Sequence, residues 1–158
     1  MRSFFSNCLS KNFEPFLSDG HVERLWSQRN RSSQNGFIGA VYHMDTPHGY
    51  STIKQPIPFN VEKINNGMEY KSGVFLIEKP GYYRIVAHLK SKSNSLQYNI
   101  VKNSRENLIY TNMNERRASS THYIAYLTMY DMISVELVIS ASVGDEPDCN
   151  LVQIEKID

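Results

Sequence analysis

From residue 36 onward, apolar and polar residues alternate in short runs separated by turn-forming residues, the pattern of half-buried β-strands. The run that organises the rest is residues 72–89. Val74 and Leu76 alternate there with Phe75 and Ile77. Beyond Lys79-Pro80-Gly81, the residues Tyr83, Ile85 and Ala87 share one face and Tyr82, Arg84, Val86 and His88 the other. Pro80 presets its own φ and Gly81 accepts a positive one, so the pattern predicts a buried hairpin closed by a type II turn. Further strands are expected over residues 37–44, 96–101, 108–110, 122–129, 132–140 and 151–157. Residues 53–61 form one more, but Pro56 and Pro58 assign it to an edge or a bulge. About eight to ten short strands without an internal helix make an antiparallel sandwich.

Residues 1–35 have a different pattern. Phe4, Phe5, Cys8, Leu9, Phe13, Phe16 and Leu17 recur at spacings of three and four, a helical period that Pro15 interrupts and Gly20 ends. Ser18 or Asp19 can cap a second short helix carrying Val22, Leu25 and Trp26. Residues 27–35 are polar and read as a linker. The expected organisation is therefore a partly helical or irregular tail over 1–35 and one globular domain over 36–158. The tail lies against the domain or helps to associate subunits.

The chain has 158 residues, enough for a single core, and its ten Tyr and seven Phe against one Trp suit sheet packing. Charge is +2 over residues 1–35 and −1 over the remainder, which excludes a general nucleic-acid footprint. No apolar run reaches the ~20 residues that a membrane helix needs. The first nine residues lack the continuous apolar core of a signal peptide. Asn30-Arg31-Ser32 forms a glycosylation sequon that matters only along a secretory route. Cys8 and Cys149 are expected as free thiols, with Cys149 acting as a small buried hydrophobe.

A series of motifs in order carries a family resemblance. Gly73-x-Phe75 followed by Pro80-Gly81-x-Tyr83-x-Ile85 resembles the centre of the C1q globular-head domain. Residues 36–40 resemble its opening strand, residues 56–59 its second, and Asn65-x-Gly67-x-x-Tyr70 the loop before the central strands, with Lys102-Asn103 following. The resemblance spans residues 36–157 and implies an all-β jelly roll of the C1q and tumour-necrosis-factor type, assembled as a homotrimer. Departures mark a divergent member. Ile85 and Ala87 stand where aromatics are usual, Tyr130-Asp131 replaces Gly-Asp, the last strand lacks Phe-x-Gly-Phe, and no Gly-X-Y tract is present.

Candidate chemistry is sparse. Lys90-x-Lys92 and Arg116-Arg117 are short basic clusters in predicted loops. The resemblance makes all four candidate contacts for an anionic partner, and Arg supplies bidentate geometry for carboxylate or phosphate. Asp145, Glu146 and Asp148 offer the oxygen ligands that calcium prefers, and relatives implied by the resemblance bind calcium through such loops. The plain alternative is a solubilising loop, and no cofactor is required. His43-x-Asp45-x-x-His48 reads as a solvated loop rather than a zinc site. Ser119-Ser120-Thr121-His122 places hydroxyls beside a histidine, but sequence neighbours do not make a triad.

The chain therefore reads as a non-enzymatic recognition module that binds a protein, glycan or anionic surface in innate recognition or extracellular signalling. Two alternatives stay open: a trimerisation or head domain of an intracellular or viral assembly, and a tumour-necrosis-factor-type receptor ligand. The resemblance implies an extracellular location, whereas the missing signal peptide fits the cytoplasm or a viral particle.

Overall fold

The computed structural model describes residues 38–45, 49–92, 95–113, 118–144 and 149–157. They form ten strands: β1 Gly39–His43, β2 Val61–Asn66, β3 Glu69–Lys71, β4 Val74–Leu76, β5 Gly81–Lys90, β6 Leu96–Lys102, β7 Glu106–Met113, β8 Ala118–Leu127, β9 Met132–Leu137 and β10 Leu151–Lys156. Two antiparallel five-stranded sheets result, in the orders β2-β1-β10-β5-β8 and β3-β4-β9-β6-β7. The all-β jelly-roll expectation is met. No helix among the described residues is long and apolar enough to cross a membrane.

Alternation decides which side chains enter the core. From β5, Tyr83, Ile85, Ala87 and Leu89 point inward; β10 adds Val152 and Ile154, and β1 adds Ala40 and Tyr42. The second sheet answers with Phe75, Tyr98, Ile100, Val135 and Leu137. At one end of this core Tyr42, Tyr70 and Phe75 form an aromatic group, with centroids 4.1 Å apart for Tyr42–Tyr70 and 4.6 Å for Tyr70–Phe75. Such pairs contribute beyond their buried area.

The expected central hairpin is corrected. β4 pairs with β3 and β9 in one sheet, while β5 pairs with β10 and β8 in the other. Lys79-Pro80-Gly81 is thus a bridge between sheets, and Gly81 has φ +153°, far from the value near +80° of a type II turn. The Tyr83 hydroxyl closes the bridge by donating to the Lys79 carbonyl at 2.7 Å. Residues 53–61 are also corrected. Ile53 and Pro56 form isolated bridges, the Lys54 and Ile57 amides donate to the Leu137 and Val135 carbonyls at 2.8 Å each, and only Val61 belongs to a strand, as the first residue of β2. Pro56 and Pro58 have no N–H to extend the ladder.

The motifs of the resemblance prove to be folding devices. A Cβ on Gly73 would lie 2.5 Å from the Ile57 carbonyl oxygen, and its φ is +89°. Only glycine fits there. The Asn65 side chain accepts from the Met68 amide at 3.3 Å and donates to the Tyr42 hydroxyl at 3.0 Å, which holds the turn at Gly67. The Tyr70 hydroxyl accepts the Phe59 amide at 2.8 Å. Cys149 is buried and disulfide-bonded, which overturns the expectation of a free thiol at this position; Cys8 lies outside the described residues.

Candidate interaction surfaces

Strand alternation leaves each sheet one face turned away from the core, and the two faces differ. On the second sheet that face is polar around Asn99 of β6, whereas Val74, Leu76 and Met132 make it apolar along β4 and β9. Tyr110 donates to Gln97 at 3.0 Å and Asn99 to Asn107 at 3.0 Å, with Glu136 alongside. On the first sheet, the side formed by β5 and β8 is apolar. Tyr82, Ile124 and Tyr126 are 52%, 59% and 54% exposed, although each belongs to a strand. Tyr82 and Tyr126 are direct cross-strand partners, with ring centroids 5.3 Å apart in an edge arrangement.

Charge on this face is mostly cationic. Arg84 pairs with Glu155 across β5 and β10, and Gln153 donates to the other carboxylate oxygen at 2.9 Å. His88 and Lys90 follow Arg84 along β5, and His122 lies on β8 opposite Val86. Burial holds the His88 imidazole below the usual histidine pKa, and the nearby Lys90 charge adds to the effect.

At one end of the sheet, Lys90 is the register partner of Ala118, the residue that follows Arg117 in the chain. Lys92 lies exposed just past β5. Arg116, Arg117, Asp145, Glu146, Asp148 and His48 lie outside the described residues, as do residues 1–37. His43 is buried within β1, whereas Asp45 is exposed and its amide donates to Asn60 at 2.7 Å. Among the described residues no group of three or more His, Cys, Asp or Glu could hold a metal ion. Thr121 is buried in a hydroxyl cluster with Tyr98 and Thr111: the Tyr98 hydroxyl lies 3.0 Å from the Thr121 hydroxyl and 3.0 Å and 3.3 Å from the Ala87 and Ser119 carbonyls, and buried Ser119 contributes only that carbonyl. The cluster joins the two sheets at this end.

At the opposite end of β5, Asp131 organises two turns. Its carboxylate receives the Thr128 amide at 2.7 Å and the Asn103 side chain at 2.8 Å, and it pairs with Lys102 at 3.1 Å. Burial alone would raise its pKa. The Thr128 amide, Asn103, Lys102 and the Thr128 hydroxyl outweigh burial and hold it down at about 2. Beside it Tyr130 is 72% exposed with φ +68°, flanked by exposed Met129 and Met132. Sequence reasoning noticed only that this tyrosine replaces a glycine.

The two five-stranded antiparallel sheets define the class as an all-β jelly roll. The C1q domain family matches residues 41–148, more than half of the chain, so this chain belongs to the C1q domain family. Solved structures similar to it include murine APRIL, with 13% identity, a TM-score of 0.60 and coverage of 75% of this chain and 99% of that one. The Eiger TNF of S. frugiperda gives 10% identity, a TM-score of 0.60 and coverage of 78% and 94%. The globular domain of zebrafish complement 1qA gives 16%, 0.53, and 78% and 96%. At these identities the likeness concerns the fold. No curated protein sequence matches the chain.

Proposed function

We propose that this chain is a non-enzymatic recognition module that acts as a homotrimer outside the cell and binds an anionic partner through exposed loops. Family membership supports the class. The observation that carries the trimer is the exposed group Tyr82, Ile124 and Tyr126 on the outer face of the first sheet, because a contiguous apolar patch on a sheet face is an association surface. Three copies multiply one weak site into avidity. The ligand contacts are Lys90 and Lys92 together with Arg116 and Arg117; the pairing of Lys90 with Ala118 supports bringing the two clusters together. Asp145, Glu146 and Asp148 are the residues proposed for calcium.

The test is the solution mass of the full chain at neutral pH, with calcium and with chelator, followed by retention on a sulfated polysaccharide. A mass near three times 18.2 kDa is expected, with retention that drops in Lys90→Ala/Lys92→Ala. A monomer in both conditions removes the avidity reading. A trimer whose retention ignores the lysines removes the anionic ligand.

A further inference from the structure

Each sheet ends in two edge strands, and an edge offers a row of backbone N–H and C=O groups to any strand that arrives. Three of the four edges are blunted. β2 carries Glu62 and Lys63 and shifts register against β1 between Val41 and Tyr42. β3 is three residues long, two of them Glu69 and Lys71. β7 opens on Glu106 and shifts register against β6 between Ile100 and Val101. β8 has none of these devices. It is ten residues long, contains no Lys, Arg, Asp, Glu, Pro or Gly, and follows β5 from Ala118 to Leu127 without a register shift. No described strand lies along its other side.

We infer that this edge of β8 pairs antiparallel with β8 of a second copy of the chain, joining two five-stranded first sheets into one continuous sheet. The occupant follows from charge. Edges are kept apart mainly by charged side chains, and a strand without Lys, Arg, Asp or Glu meets no such repulsion in its own copy.

Sidedness limits the register. Ser120, Ile124 and Tyr126 point to the outer face, whereas Thr121 and Leu127 are buried and Tyr123 and Ala125 pack on the core. A slip of one residue would set the inner row of one copy against the outer row of the other. Matched rows therefore require the two-fold axis to pass through a residue, not between two. With the axis at Tyr123, residues 119–127 face their counterparts, Ser120 meeting Tyr126 and Thr121 meeting Ala125. With the axis one residue earlier, Ser120 meets Ile124 instead.

Such pairing closes on itself. The two-fold uses up both β8 edges, and the strands left at the ends of the joined sheet are the two copies of β2, with their Glu62, Lys63 and bulge. The edge is separate from the outer face assigned to the trimer, so the pairing stands or falls without that reading. Where both surfaces are used, trimers double as concentration rises.

The experiment is sedimentation equilibrium of the full chain at neutral pH, from the order of 1 μM to the order of 1 mM, where a weak contact becomes populated. Amide hydrogen exchange is followed residue by residue at both ends of that range. The expected mass at high concentration is near six times 18.2 kDa, or near two times if the outer face is unused. Along β8, every second amide, the ones directed away from β5, should exchange freely in dilute solution and become protected in concentrated solution. Ser120→Lys, at a half-exposed position opposite an apolar residue in either register, should halve the high-concentration mass with an unchanged circular dichroism spectrum. A trimer that never doubles overturns the edge pairing and leaves the trimer. A dimer that never reaches six copies keeps the edge and overturns the trimer, and a monomer throughout overturns both. A doubled mass with alternate β8 amides still exchanging freely, or one that Ser120→Lys leaves intact, also overturns the pairing.

Discussion

Phe75 is nearly inaccessible, packed beside the rings of both Tyr42 and Tyr70 and paired with Ile133 on the next strand, so its loss would open a cavity lined by large neighbours. Phe75→Ala should destabilise the protomer by about 3–5 kcal/mol, read as a lower denaturant midpoint at unchanged slope. An unchanged midpoint would mean that the ring is not part of the core. Tyr130 makes the opposite case. A tyrosine at φ +68° keeps its Cβ against a carbonyl, a cost of roughly 1–2 kcal/mol that glycine does not bear. Part of that gain is returned through the freer unfolded chain, so Tyr130→Gly should stabilise by about 0.5–1 kcal/mol. A lower melting temperature would show that the ring contributes more than its backbone costs. The departure from the family's Gly-Asp at this position was visible in the sequence, but its meaning needed the dihedral angle.

Between elements, the Asp131 carboxylate ties the turn after β6 to the turn before β9 through Asn103, Lys102 and Thr128. The Asn103 side-chain oxygen returns the link by accepting the Met132 amide at 2.8 Å. Because the folded pKa of about 2 is below the ordinary 3.8, the contribution is complete above the unfolded value. It is lost as pH falls from about 4 toward 2, and Asp131→Asn should flatten the stability profile in that window. An unchanged acid limb in the variant would assign the acid sensitivity to other carboxylates. The same scale shows what the sequence could tell. Alternation put Tyr83, Ile85 and Ala87 on one face, because a period of two identifies a face, and the structure shows that face to be the inner one. It gave β4 and β5 to one hairpin wrongly, because the same period results whether two strands pair or look at each other across a core. β2 and β3 escaped notice since edge strands bury little, Ile64 alone being fully buried in β2. The nearness of Lys90 to Ala118 depends on register, which residue types alone do not encode.

For the whole molecule, the decisive feature is that the last strand is central. β10 lies between β1 and β5, pairing with both over five and six residues, so the first and last described strands are neighbours. Neither β1 nor β5 can bury its inner face fully until the end of the chain arrives, since Val152 and Ile154 fill the layer between them. Loops that long close slowly, which puts folding in the millisecond-to-second range expected of non-local sandwiches. The proposed association surface depends on the same strand, because Glu155, held by Gln153 of the same strand β10, pairs with Arg84 on that face. Removing residues 151–158 should therefore abolish more than a local contact. The shortened chain is expected to lose its cooperative unfolding transition and its near-ultraviolet tyrosine signal together, and with them any trimer. A shortened chain that still melts cooperatively would show that β1 and β5 can close the sheet directly. The outer face would then have to be assigned without β10.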